Sequence, residues 1–287
     1  MNFKESEVKV GKYKFKITDN TLVYDGHIIS RNIKIGGSNI SCVDLSIKYN
    51  KLGEAISASI PYVMYDPECS IENTLDKGDG TVTMIKTLIQ YIKQEIPIIT
   101  QIHFEDKSSI DCATEEEISK GSKNRKKGTN LVPVPLYYFS IAFNGNTWYE
   151  KNFNAYQEDD TKHANYRDKI NLLESEELKS KMSFEEFLLH SQPPLVIIEE
   201  LQKYYIKSTT LGDFFKSIPK KDRCRLVRDW ISTFMMYFLN GTFHNTDWII
   251  PLNPKIKGGK NKSKKYYLPK GKLKLNRTYK TFGVIDD

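Results

Sequence analysis

Nowhere along the 287 residues does an apolar run approach the roughly 20 that a helix needs to cross a bilayer, so no spanning helix is expected. The opening Met1-Asn2-Phe3-Lys4-Glu5-Ser6-Glu7 lacks the basic-then-apolar order of a signal peptide. Cysteine is sparse: Cys42, Cys69, Cys112 and Cys224 stand far apart, without the close pairs of a zinc site or redox motif. That usage reads as free thiols in a reducing, intracellular compartment. Histidine is scarce too, with five in the chain. The phosphate loop ending in Gly-Lys-Ser/Thr is missing, as is a full Gly-x-Gly-x-x-Gly. No internal repeat is found.

Aromatic residues are plentiful, with 17 Tyr and 14 Phe, and 39% of the chain is hydrophobic. A disordered chain is excluded, and there is material for a sizeable core. Charge is unevenly placed. The net formal charge is +7, yet Lys255 to Lys280 holds 11 basic residues and no acidic one, so the remainder is close to neutral. Within that stretch Lys260, Lys262, Lys264, Lys265, Lys270, Lys272 and Lys274 flank Tyr266 and Tyr267. Lysines neutralise phosphates and tyrosines stack on bases, which is the chemistry of nucleic-acid binding. A solvated arm, or one that engages an acidic protein, fits the same composition.

Periodicity divides the chain into regions. Residues 8–65 read as strands: Val8, Val10, Tyr13, Phe15 and Ile17 roughly alternate with polar neighbours, Val43, Leu45 and Ile47 repeat the period of two, and Asp25-Gly26 and Lys51-Leu-Gly53-Glu mark turns. After Gly78-Asp79-Gly80 the period changes. Val82, Ile85, Leu88, Ile89 and Ile92 share a helical face over about 81–95, with Thr81 able to cap it, and Ile96 to Phe104 reads as a buried strand. Ala113–Asn130 is polar and basic, a surface loop. A compact unit, Pro135 to Phe143 and Thr147-Trp148-Tyr149-Glu150-Lys151, follows. From about 156 the pattern is helical: Ser183-Phe-Glu-Glu186 is a capping box, Pro194 opens a helix to about Lys207, Thr210 caps Leu211–Ser217, and Asp222 starts a long amphipathic helix ending at Asn240-Gly241. The expected organisation is an α/β region over 1–155, a helical region over 156–254 and a basic tail over 255–287.

Two places could carry chemistry. Glycines at Gly78 and Gly80 before a helix let backbone N–H groups approach an anion, and the helix N-terminus adds partial positive charge. A plain glycine turn looks the same in sequence, and Asp79 would repel phosphate. The second place is a short helix at Asn146–Ala155, capped by Thr147 or Asn146, with Trp148 and Phe153 inward and Glu150 and Lys151 toward water. On it Tyr149 could donate a proton to a departing thiolate, or simply pack. Glu105 or Asp106 could serve as a base. His103 and Glu105 share a strand face, a weak metal reading, and a Cys112/His103 nucleophile pair would need a third, orienting group.

Taken together these residues resemble the GNAT family of N-acetyltransferases. Tyr65-Asp-Pro67-Glu68 and Leu75-Asp-Lys-Gly78-Asp-Gly80 stand where that family has its strand end and pyrophosphate loop, and Tyr149-Glu-Lys151-Asn-Phe153 where it has a helix with the tyrosine acid. The resemblance, over about residues 40–155, implies an α+β fold with a GNAT-like mixed sheet. It also implies an acetyl-CoA site at Gly78, Gly80 and Thr81, and Tyr149 as general acid. Leu75 stands in place of Gln or Arg, Asp79 is anionic, and the glycine before Phe153 is missing. Thr-Trp-Tyr-Glu-Lys-Asn-Phe, with Phe104-Glu-Asp-Lys-Ser upstream and heavy Lys, Ile and Asn usage, also resembles uncharacterised proteins of large cytoplasmic DNA viruses. The expectation is a catalytically degenerate interaction or virion-associated module in the host cytoplasm or virion. Its helical region would contact a viral or host protein, its basic tail nucleic acid or an acidic partner. The alternative is an active acyl-CoA-dependent N-acyltransferase.

Overall fold

The computed structural model describes residues 2–112, 132–243, 246–252 and 276–281. It is α+β, with a large mixed sheet and ten described helices, nine of them after residue 135. The chain forms two compact units. One comprises Met1–Glu105 and Ile249–Asp287, the other Asp106–Trp248.

The first unit is built on an antiparallel meander: β1 (Asn2–Val10), β2 (Tyr13–Tyr24), β3 (His27–Gly36), β4 (Ser41–Tyr49) and β5 (Ala55–Val63). Asp25 and Gly26 both take positive φ between Tyr24 and His27, the two-residue turn whose twist matches its strands. Strand alternation then decides the faces. Phe15, Ile17, Ile33, Ile35, Val43, Leu45 and Ile47 are buried on one side. The other side is polar and laced by Lys16–Glu5 (3.0 Å), Lys14–Glu7 (2.8 Å) and Lys34–Asp44 (3.2 Å).

Helix α1 (Asp79–Glu95) lays Met84, Ile85, Leu88, Tyr91 and Ile92 on the apolar face. It leads to β6 (Gln101–Glu105), which runs parallel to β5 with Ser59 opposite His103. The expected strand from Ile96 is shorter because Pro97, which has no N–H, begins a turn closed by Ile99 N–H to Ile96 O. Lys93 Nζ donates to Leu252 O just beyond the later strand Asp247–Pro251, which lies beside β6. A buried polar network pins α1: Arg31 holds Asp19 through Nε (2.8 Å) and Nη2 (2.5 Å), Tyr91 OH donates to Asp19 Oδ2 (2.7 Å), and Lys4 pairs with Glu95 (2.7 Å).

The second unit opens with β7 (Ser109–Cys112) and β8 (Val132–Pro135), an antiparallel pair. The helices α2 (Leu136–Asn144), α3 (Trp148–Phe153), α4 (Asp160–Leu173), α5 (Glu176–Lys181), α6 (Phe184–Ser191), α7 (Leu195–Lys207) and α8 (Leu211–Ser217) follow, with the short strand β9 (Tyr156–Gln157) before α4. Ser183 and Thr210 cap α6 and α8 through their hydroxyls, and Pro194 is the N-cap of α7. The single long helix expected from Asp222 is two, α9 (Arg223–Val227) and α10 (Ile231–Leu239). Trp230 breaks it: its N–H reaches Val227 O, three residues back, and its indole N–H takes Leu226 O at 2.5 Å. Phe187 is the hub of the core, with the rings of Tyr205, Phe214, Trp230 and Phe234 all centred 5.2 to 5.3 Å away.

One correction comes from the cysteines. All four cysteines are paired, Cys42 with Cys69 and Cys112 with Cys224, so the argument from free thiols to a reducing compartment falls away. Strand pairing and the turn Pro67–Cys69 bring together residues 27 apart, and the second bridge joins residues 112 apart. After β10 (Asp247–Pro251), β11 (Asn276–Thr281) pairs antiparallel with β1. The loop expected at Ala113–Asn130 lies outside the described residues. No described helix is long and apolar enough to cross a membrane.

Candidate functional site

In the first unit, Gly78 is the N-cap of α1 with φ +86°, a left-handed position that glycine takes without strain. Gly80 lies inside the first turn and its N–H already donates to Asp76 O at 3.1 Å. A Cβ there would sit 2.9 Å from Leu75 Cγ and 3.2 Å from Tyr13 OH, so Gly80 admits Leu75 to the interior. Thr81 is buried in the same turn and does not cap it. Carboxylates dominate the surroundings: Asp79 is exposed in the first turn, and Asp76 accepts from Lys12 Nζ (2.6 Å) and Tyr13 OH (2.7 Å). Those two donors, Lys12 first, hold Asp76 ionised by lowering its pKa. A helix N-terminus flanked by two anions and with one amide committed is a poor cradle for pyrophosphate.

In the second unit, Thr147 caps α3 in a full capping box: its Oγ1 accepts Glu150 N–H (3.1 Å) and Glu150 Oε2 accepts Thr147 N–H (2.7 Å). Glu150 does not face water as expected. Tyr166 OH donates to it at 2.5 Å and Arg167 at 3.3 Å. Tyr149 and Phe153 are the buried pair, with Trp148 half-buried and edge-on to Tyr149 at 5.0 Å. Burial, and then the charge of Asp106, push the Tyr149 hydroxyl well above the usual phenol range.

Asp106 is a second buried carboxylate of this unit. Ser108 donates its hydroxyl and its N–H (3.2 Å) to Asp106 Oδ1, while Oδ2 is buried with no hydrogen-bond partner. Burial pushes this carboxyl up to about 6, the Ser108 bonds holding it back. Leu136 N–H donates to Ser108 O at 2.8 Å, which brings the start of α2 to this turn. Tyr137 follows, its hydroxyl raised by burial, held back by a hydrogen bond with the Tyr138 hydroxyl and raised a little further by Asp106. Its ring stacks on Phe243 (5.0 Å) and meets Tyr138 edge-on (4.3 Å). Ser108 and Tyr137 escaped the sequence reading, although Asp106-Lys-Ser108 is itself the signature of an Asx turn.

The other candidates separate. Cys112 is in a disulfide and has no thiolate to offer, while His103 contacts Gln101 Nε2 at 3.0 Å. Among the described residues no group of three or more His, Cys, Asp or Glu could hold a metal. Lys260, Lys262, Lys264, Lys265, Tyr266, Tyr267, Lys270, Lys272 and Lys274 lie outside the described residues. A polar cavity of about 510 Å³ opens between Ser38–Ile40 and Pro67–Thr74, beside the Cys42–Cys69 bridge. No family model, no curated protein and no solved structure matches this chain.

Proposed function

We propose that the chain is a catalytically degenerate, GNAT-like viral protein that acts as an interaction module in the host cytoplasm or the virion. The observation that carries this reading is the mouth of α1, where Asp76 and Asp79 oppose a phosphate and the Gly80 amide is already used. The buried Tyr149 hydroxyl supports it as well, since a phenol with a raised pKa is a weak proton donor. Contacts to a viral or host protein fall to the helical unit, where Leu195 and Val196 on α7 and Met236 on α10 are exposed. Contacts to nucleic acid or an acidic partner fall to the lysines and tyrosines between Lys260 and Lys274.

Two measurements test the proposal. Coenzyme A or acetyl-CoA, present at about 100 times its dissociation constant, would add roughly 2.7 kcal/mol to an acyltransferase. The expected result is an unchanged melting temperature at millimolar ligand, and a saturable rise would restore the acyltransferase reading with Tyr149 as acid. Separately, single-stranded DNA binding is measured against salt for the natural chain and for one with Lys260, Lys262, Lys264, Lys265, Lys270, Lys272 and Lys274 changed to Gln. Affinity and salt slope should both collapse in the variant. Binding that persists unchanged would remove nucleic acid from the proposal.

A further inference from the structure

We infer that the polar cavity between Ser38–Ile40 and Pro67–Thr74 is a binding site for a neutral sugar. The inference goes beyond the proposed function and stands on residues which that reading does not use. The cavity walls are two loops of the first unit, held as one piece. Cys42 and Cys69 join them covalently, and both are fully buried. Gly37 lies so close to the other loop that a Cβ on it would sit 1.9 Å from Glu68 O. Ser70 Oγ accepts Lys14 N–H (3.2 Å) and donates to Glu72 O (2.6 Å), which ties the second loop to β2. A site shaped before its ligand arrives loses little to ordering.

The lining selects the ligand. Among the described residues the side chains of Ser38, Asn39, Glu68 and Thr74 have no hydrogen-bond or ion-pair partner, and Asn73 uses only its Nδ2, on Lys12 O at 2.5 Å. Serine and threonine hydroxyls and the Asn39 amide both donate and accept, as every sugar hydroxyl does, while Glu68 and Asn73 Oδ1 accept. Ile40, Pro67 and Ile71 add apolar wall for the C–H faces of a sugar ring. No lysine, arginine or histidine lines the cavity, so an anion would meet Glu68 and no counter-charge. A hard metal ion needs about six oxygen ligands, and a single carboxylate cannot anchor that set. The volume of about 510 Å³ falls within the roughly 300–1,000 Å³ of small-molecule sites.

The test is ligand-observed saturation-transfer NMR on the full chain at pH 7, with methyl β-D-glucoside and methyl β-D-galactoside as probes. The matching methyl uronides, which carry a carboxylate in place of the hydroxymethyl group, and n-butylammonium chloride are the controls. A saturable signal is expected from at least one neutral glycoside, with its uronide about tenfold weaker because of Glu68. Glu68→Gln should bring that pair to near equality. Asn39→Ala combined with Thr74→Ala should weaken the glycoside about tenfold, through the loss of two hydrogen bonds. Both side chains are exposed and unpaired, so the melting temperature should not move. The comparison of glycoside with uronide uses the natural chain and decides the matter even if a variant does not fold. No saturable signal from either glycoside, equal binding of the uronide to the natural chain, a stronger response to n-butylammonium, or unchanged binding by the folded double variant would each overturn the assignment.

Discussion

Replacing Asp106 by Asn should change the pH dependence of stability in a way that isolates one buried carboxyl. Its pKa rises from 3.8 to about 6 in the folded chain. Between those values the unfolded chain has released the proton while the folded chain still holds it, so the folded state binds more protons and stability falls as pH rises. Roughly two pH units at 1.36 kcal/mol each give about 3 kcal/mol, a loss complete once pH passes the folded pKa. Asn does not titrate. The variant should therefore gain on the natural chain by about 2.4 kcal/mol between pH 4 and pH 7, whatever constant offset its amide introduces.

That offset is expected, because the Asn Nδ2 enters the position of an unpartnered buried oxygen and costs about 1–3 kcal/mol if it too stays unpaired. The decisive quantity is thus the slope of the difference with pH, not its value at any one pH. Urea unfolding followed by tryptophan fluorescence is the assay. All three tryptophans, Trp148, Trp230 and Trp248, belong to the unit that contains Asp106, so the signal reports on that unit. Parallel profiles for the two proteins would refute the reasoning, since they would mean that the Asp106 carboxyl titrates alike in both states.

Phe187→Ala should cost about 3–5 kcal/mol by the same fluorescence assay, because it empties the ring position that Tyr205, Phe214, Trp230 and Phe234 share. Asp19→Ala removes the acceptor for Arg31 and Tyr91 and should cost about 3–5 kcal/mol, read by far-ultraviolet circular dichroism in urea; a loss under 1 kcal/mol would make the network dispensable. Replacing both Cys42 and Cys69 by Ala reopens a span of 27 residues and should lower stability by about 3.5 kcal/mol in a thermal melt, whereas no change would deny the bridge a stabilising role. Gly80→Ala should destabilise by about 1–3 kcal/mol in the ligand-free chain, since the new methyl meets Leu75 and Tyr13, despite the roughly 1 kcal/mol that Ala gains over Gly within a helix.

Much of the fold was legible because it obeys local rules. The meander announces itself through alternation and through Asp25-Gly26, whose positive φ values match the turn its residue types imply. Ser183 and Thr210 cap the helices they precede, as their hydroxyls suggest. The reading failed where a distant or one-off contact overrides the local pattern. Nothing in the amphipathic stripe from Leu226 to Phe238 reveals that the Trp230 indole will take the Leu226 carbonyl and break the helix. Nor does spacing disclose a cysteine pair 112 residues apart. Likewise Asp19 and Arg31, 12 residues apart on neighbouring strands, become partners only once the β2–β3 register is set.

The candidate sites fail and succeed for a related reason: a residue type carries several meanings, and only its neighbours choose among them. Gly-x-Gly before a helix can mean that an anion needs room outside the backbone, or that a side chain needs room within it. At Gly80 the space a Cβ would fill is taken by Leu75 and Tyr13, so glycine is required there by packing alone. An ordinary Asp-Lys-Ser turn runs the other way. It offered little in sequence beyond a possible base at Asp106, yet it leaves one carboxylate oxygen buried and without a hydrogen-bond partner. The stronger motif therefore has a structural explanation that needs no ligand. The weaker one has a buried polar group for which the described protein provides no partner.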